Sequence, residues 1–133
     1  MTYETREIIK ARRELDKLNS IPLQHKREAK QELFDLLTMP NGFETIVREI
    51  SWLLDGNYGF GHYLICKDWL TRSKRFNVNA RLFQSIAALE YQCPLRQANQ
   101  VYNMLTSEQQ KQLNLMITIV IQQHKADNEE ATA

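Results

Sequence analysis

Glycine and proline are scarce, four and three residues in a chain of 133. Turn-rich β architecture needs many of both, so their shortage disfavours it and suits helices. Cysteine is as rare, with only Cys66 and Cys93, too few for the disulfide framework of a small secreted domain. The start, Met1-Thr2-Tyr3-Glu4, carries charge at once and leads into no apolar signal core, so the cytosol is the expected compartment. The longest uncharged stretch, Gln112–His124, has 13 residues, against the roughly 20 that span a bilayer. No membrane partner is expected. An excess of one charge is missing as well: 17 basic and 16 acidic residues leave a net +1, unlike a chain that meets nucleic acid over its whole surface.

Catalytic signatures are also missing. The sequence holds no HExxH, CxxC or GxSxG motif and no Walker-type loop, each of which marks a defined chemistry. His62 and Cys66 stand four apart and can share one helix face, the spacing of a thiol–imidazole contact or of two metal ligands. Two ligands do not complete a tetrahedral site. The pair therefore reads as a half-buried histidine beside a core cysteine, with no metal, no cofactor and no enzyme expected.

What is present is helical periodicity, divided by a few breakers. A hydrophobic share of 43% and a charged share of 25% suit one globular core. A first helix over about Thr2–Leu18 carries Ile8, Leu15 and Leu18 on one stripe. A second starts at Pro22 and runs to about Leu37. Asn41, with Glu44 three residues on, is expected to cap a third helix that ends at Asp55-Gly56-Asn57, Gly56 taking the left-handed conformation. A loop over Tyr58–Tyr63 leads to a fourth helix, about His62–Arg72, and Asn77 or Asn79 caps a fifth that reaches Tyr91. Pro94 restarts a sixth over Leu95–Leu105. Ser107 and Gln110 have capping-box spacing ahead of a last helix, in which Leu113–Ile121 is apolar nearly all round. Its β-branched residues also suit a strand, but the cap and the glutamine-rich flanks favour helix. A helix apolar on every side is either central or buried in a partner. The expected fold is an all-α, compact, single-domain bundle of six or seven short helices over residues 1–125, followed by a small, acidic, disordered tail at 126–133.

Charge and aromatics concentrate in the middle of the chain. Between Cys66 and Arg96 stand six basic residues, Lys67, Arg72, Lys74, Arg75, Arg81 and Arg96, against Asp68 and Glu90 only. Residues 1–65 are nearly balanced, and residues 97–133 are slightly acidic. Trp52, Tyr58, Phe60, Tyr63, Trp69 and Phe76 lie in or beside the basic stretch, and aromatics next to arginines are the composition of an interface core. Tyr58-Gly59-Phe60-Gly61 matches no phosphate-binding fingerprint and reads as a helix connection or a recognition loop.

These features point to a small adaptor, regulator or inhibitor that docks on a larger protein or complex. At the level of class, accessory proteins of phages and plasmids have this size and this lack of catalytic motifs. The candidate docking residues are Tyr58, Phe60, Tyr63, Lys67, Trp69, Arg72, Lys74, Arg75 and Arg81. The alternative is a nucleic-acid-binding accessory factor. It would use the same basic segment, with residues 79–91 and 95–105 as a helix-turn-helix whose second helix offers Arg96, Gln97, Asn99 and Gln100 to base edges. A homodimer through Leu113–Ile121 is a third possibility.

Overall fold

A computed structural model describes the backbone of residues 1–132 and the side chains of residues 1–129. Among the described residues there are seven α-helices and no strand: α1 (Tyr3–Asp16), α2 (Leu23–Thr38), α3 (Gly42–Leu54), α4 (Phe60–Thr71), α5 (Val78–Tyr91), α6 (Leu95–Met104) and α7 (Ser107–Thr132). A 3-10 turn, Lys17–Ser20, follows α1. The helices pack against one another in the all-α arrangement that the periodicity implies. No described helix is long and apolar enough to cross a membrane.

The centre belongs to α3, not to the last helix. Ile46, Ile50, Leu53 and Leu54 of α3 are buried among Leu82 and Ile86 of α5, Leu113 and Ile117 of α7, and Leu33 of α2. Ile46, Ile50 and Leu53 or Leu54 recur at intervals of three or four and make one face of α3 largely apolar, and each contributes about 1.5–3 kcal/mol when removed from water. In α7 only the stripe Leu113, Ile117 and Ile121 is buried, while Leu115 and Ile119 are 56% and 50% exposed. An all-round apolar helix is expected to be central or buried in a partner; here Leu113, Ile117 and Ile121 face the core, Met116 and Val120 pack partly against it, and Leu115 and Ile119 meet water. The α7 backbone continues helical from Ala126 to Thr132 through the segment read as a disordered tail, and Ala133 lies outside the described residues.

Of three expected caps, one forms and two differ. Asn77 caps α5 as read, its side chain accepting from the Ala80 N–H at 3.2 Å. The box ahead of α7 sits one residue earlier than expected, on Thr106 and Gln109. The Gln109 N–H donates to Thr106 Oγ1 at 3.1 Å, and the Thr106 N–H donates to Gln109 Oε1 at 2.8 Å. The competing Gln110 side chain is drawn to the Tyr102 carbonyl at 3.0 Å. Asn41 gives no side-chain cap. Gly42 itself opens α3, because a Cβ there would lie 1.9 Å from the Leu36 carbonyl oxygen, so the α2–α3 corner closes only on glycine. Gly56 takes positive φ at +88°, as expected.

The fourth helix begins two residues before its expected start. Gly59, at φ +112°, makes the sharp entry, and Phe60 and Gly61 are already helical. Gly61 faces α1 at its closest approach: a Cβ there would stand 2.3 Å from the Glu7 carbonyl oxygen and 2.9 Å from Ala11 Cβ. Helix α1 packs chiefly on α4, so this seam fixes α1. Buried His62 tightens it, its Nε2 lying 3.2 Å from Glu14 Oε2. Replacing Gly61 with alanine should force the two helices apart and lower stability by about 1–3 kcal/mol, the usual cost of overpacking. Urea denaturation monitored by circular dichroism should show a lower midpoint with unchanged slope. An unchanged midpoint would contradict the close packing of this seam.

Candidate functional site

The nine candidate docking residues do not form one patch. Positions nine apart lie about 180° around a helix of 3.6 residues per turn. Phe60 and Trp69 are nine apart on α4, so they leave it on opposite sides.

The first side carries Phe60, Tyr63 and Lys67. The Phe60 ring stacks on Tyr63, centroids 6.3 Å apart and planes 22° apart, and on Tyr3 of α1 at 5.9 Å and 19°. Tyr3 is 59% and Phe60 40% exposed. The three rings form a ladder open to water. It leads into a groove of about 290 Å³ between α4 and the C-terminal part of α7, floored by Leu54, Cys66 and Leu70 and walled by Lys67 and His124. A further lobe of about 410 Å³ reaches Gly56 and Phe60. His124 is oriented there by Asp55, 3.5 Å from its Nδ1, and by Asn128, 3.0 Å from its Nε2.

The second side carries Trp69. The Arg81 guanidinium of α5 lies 5.6 Å from the Trp69 ring centroid and 4.6 Å from that of Phe76. Cation–π contacts of this kind are worth about 0.5–2 kcal/mol. Arg72 pairs with Asp68 at 3.1 Å on the surface. Lys74 and Arg75 sit exposed on the α4–α5 turn and make no ion pair with any described residue.

Tyr58 joins neither side. It is half-buried, and its O–H donates to Glu90 at the end of α5. Beside it, the Tyr91 O–H donates to both carboxylate oxygens of buried Glu49, at 2.8 and 3.0 Å. Burial raises the Glu49 pKa, an effect that the Tyr91 bond only partly opposes and the nearby Glu90 charge adds to. Burial also raises both phenols, with Glu90 and Glu49 reinforcing the effect.

His62 and Cys66 do not act together. His62 turns to Glu14, and burial pushes the Cys66 thiol up to about 12. Burial likewise lifts Cys93, to about 11. A thiol held so high stays protonated at neutral pH and is a poor nucleophile or ligand. Among the described residues no three His, Cys, Asp or Glu side chains are placed to hold a metal ion. In the α5–α6 pair, Asn99 is engaged by Gln84 Nε2 at 2.8 Å, Ala98 is buried, and Gln97 and Gln100 are half-buried. Of the four side chains expected to read bases, only Arg96 is both exposed and unengaged.

Sequence reasoning missed Tyr3, His124 and Asn128 as parts of the first side. Tyr3 precedes Phe60 by 57 positions, and no local pattern links rings so far apart. No family model matches the chain, and no curated protein or solved structure matches it either.

The Glu49–Tyr91 pair generates a pH-dependent prediction. A raised native pKa means that the folded state holds its proton where the unfolded chain has lost it. Stability from this group therefore falls as pH rises from the ordinary carboxylate value of 4.5 through the raised one. Tyr91→Phe removes the bond that lowers the pKa and leaves a buried carboxylate unpartnered. It should cost about 1–3 kcal/mol at pH 7 and distinctly less at pH 4, as read by urea melts at the two pH values. An equal cost at both would show that Glu49 titrates without regard to Tyr91.

Proposed function

We propose that this protein is a non-enzymatic protein-binding module, an adaptor or inhibitor that docks on a larger protein through the Phe60 side of α4. The carrying observation is the exposed ladder Tyr3–Phe60–Tyr63 at the mouth of the α4–α7 groove. Rigid aromatic rings bury large area on binding at low entropic cost and recur in interface hot spots. Here three stand stacked in advance, so little ordering remains to oppose association. Lys67 at the groove wall adds a charge that can steer a partner.

A second reading, nucleic-acid binding, draws on the exposed Lys74 and Arg75 next to Arg72. Such a site would weaken steeply with salt, by a slope of about −0.9 in log K against log salt for each phosphate neutralised. Aromatic docking should change little over the same range.

The two readings separate in an affinity capture from nuclease-treated lysate of the source cells at low and high salt. The baits are the wild type, Phe60→Ala/Tyr63→Ala, and a variant with Arg72, Lys74 and Arg75 changed to glutamate. A protein retained at high salt by the wild type and the charge-reversed bait, but lost from the aromatic double mutant, is the expected result. Retention of nucleic acid in a parallel capture without nuclease, lost with the charge reversal and indifferent to the double mutant, would overturn it in favour of the second reading.

A further inference from the structure

On the side of α4 away from the groove, a pocket of about 220 Å³ opens between the end of α1, α4, α5 and the start of α6. Its apolar walls come from Leu15, Leu18, Trp69, Ala88, Pro94 and Leu95, of which Leu95 is 53% exposed at the rim. An apolar cavity of about 150 Å³ holds a benzene ring, so this one has room for a large aliphatic or aromatic side chain. Arg81 stands in its wall.

The state of Arg81 is unusual. It is half-buried, its guanidinium lies over the Trp69 and Phe76 rings, and it makes no side-chain hydrogen bond or ion pair with any described residue. Guanidinium carries five N–H donors directed in its own plane, in a fork that matches a carboxylate. The two ring contacts are cation–π contacts and use none of these donors. A half-buried cation set against two rings, with no counterion among the described residues, is partly prepared for an anion, because some of its desolvation is already met. Two basic side chains, Lys74 and Arg75, lie on the adjoining turn, and Arg96 follows Leu95. Of the nearby carboxylates, Asp68 is taken by Arg72, and Asp16 lies in the pocket wall.

We infer that this pocket receives an acidic protein segment, placing one large apolar side chain among Leu18, Ala88, Pro94 and Leu95 and a neighbouring Asp or Glu carboxylate on Arg81. The apolar walls select a side chain over a sugar-phosphate strand. The guanidinium already occupies one face each of Trp69 and Phe76, which removes those faces as base-stacking platforms. Asp16 can accept a backbone N–H from a peptide. The site is independent of the aromatic groove, so a protein carrying both would join two partners across α4.

The test is fluorescence anisotropy with labelled twelve-residue peptides rich in Asp and Glu. One set has a central Leu, Phe or Trp, a matched set has Ser there, and an oligothymidylate serves as the nucleic-acid probe. Anchored peptides should bind at least tenfold more tightly than their Ser counterparts. Arg81→Gln should weaken them at least tenfold, and so should Leu95→Glu, which puts a repelling charge at the exposed rim without touching the core. Phe60→Ala/Tyr63→Ala should leave them unchanged, so that loss of the groove and loss of the pocket are read apart. In a Trp52→Phe background, Trp69 emission should shift on peptide addition. The inference is overturned if no acidic peptide binds, if the central residue makes no difference, if folded Arg81→Gln and Leu95→Glu proteins bind as the wild type does, or if oligothymidylate displaces the peptides.

Discussion

A glycine in contact with a backbone carbonyl determines where the exposed surface of this protein lies. At Gly61 the α4 helix approaches the Glu7 carbonyl of α1 more closely than any side chain would permit. That approach sets the Tyr3 ring on Phe60, brings Glu14 to buried His62, and carries the end of α1 to Trp69, where Leu15 and Leu18 form one wall of the pocket. Both candidate surfaces are thus shared between α1 and α4. Neither exists on α4 alone. The bundle beneath, centred on α3, supplies the stability, while the α1–α4 layer supplies the shape.

Burial and exposure are divided along the same boundary. Elsewhere polar groups stand in pairs, with buried Glu49 on Tyr91, Glu90 on Tyr58 and Glu14 on buried His62. No buried side-chain N or O among the described residues lacks a partner, as expected when an unpaired buried group costs 1–3 kcal/mol or so. On the α4 surface pairing is sparser, with Arg72 on Asp68. Among the described residues Arg81 has rings but no counterion, Lys74 and Arg75 have none, and the Tyr3 and Phe60 rings meet water. Groups so placed contribute little to folding. The docking proposed above would remove the rings from water and bring an anion to Arg81.

Much of the fold was legible in the chain because it depends on local signals. Periodicity located all seven helices, and Asn77 and Gly56 acted as their residue types predict. Failures came where two local signals competed or a distant contact decided. Thr106 outcompeted Ser107 as a cap because Gln109 returns its bond while Gln110 is engaged elsewhere. Reading Phe60 as loop hid the helical phase that puts it opposite Trp69, so two surfaces looked like one. The aromatic and basic composition of the site was visible. Its division was not, and the ladder with Tyr3 and the pocket beside Leu18 arise from tertiary packing that no spacing in the sequence records. The α7 girdle shows the same limit: apolar residues on all sides specify a helix, but not which half meets solvent.

The most direct test of docking through α4 is hydrogen–deuterium exchange, comparing the free protein with its nuclease-treated, captured complex. Slowed exchange over residues 60–67 and in the part of α7 around His124, with the α4–α5 turn unchanged, is the expected pattern. Slowing confined to residues 72–77, with the Phe60 end of α4 exchanging as in the free protein, would contradict the proposal and return the basic turn to the centre of the function.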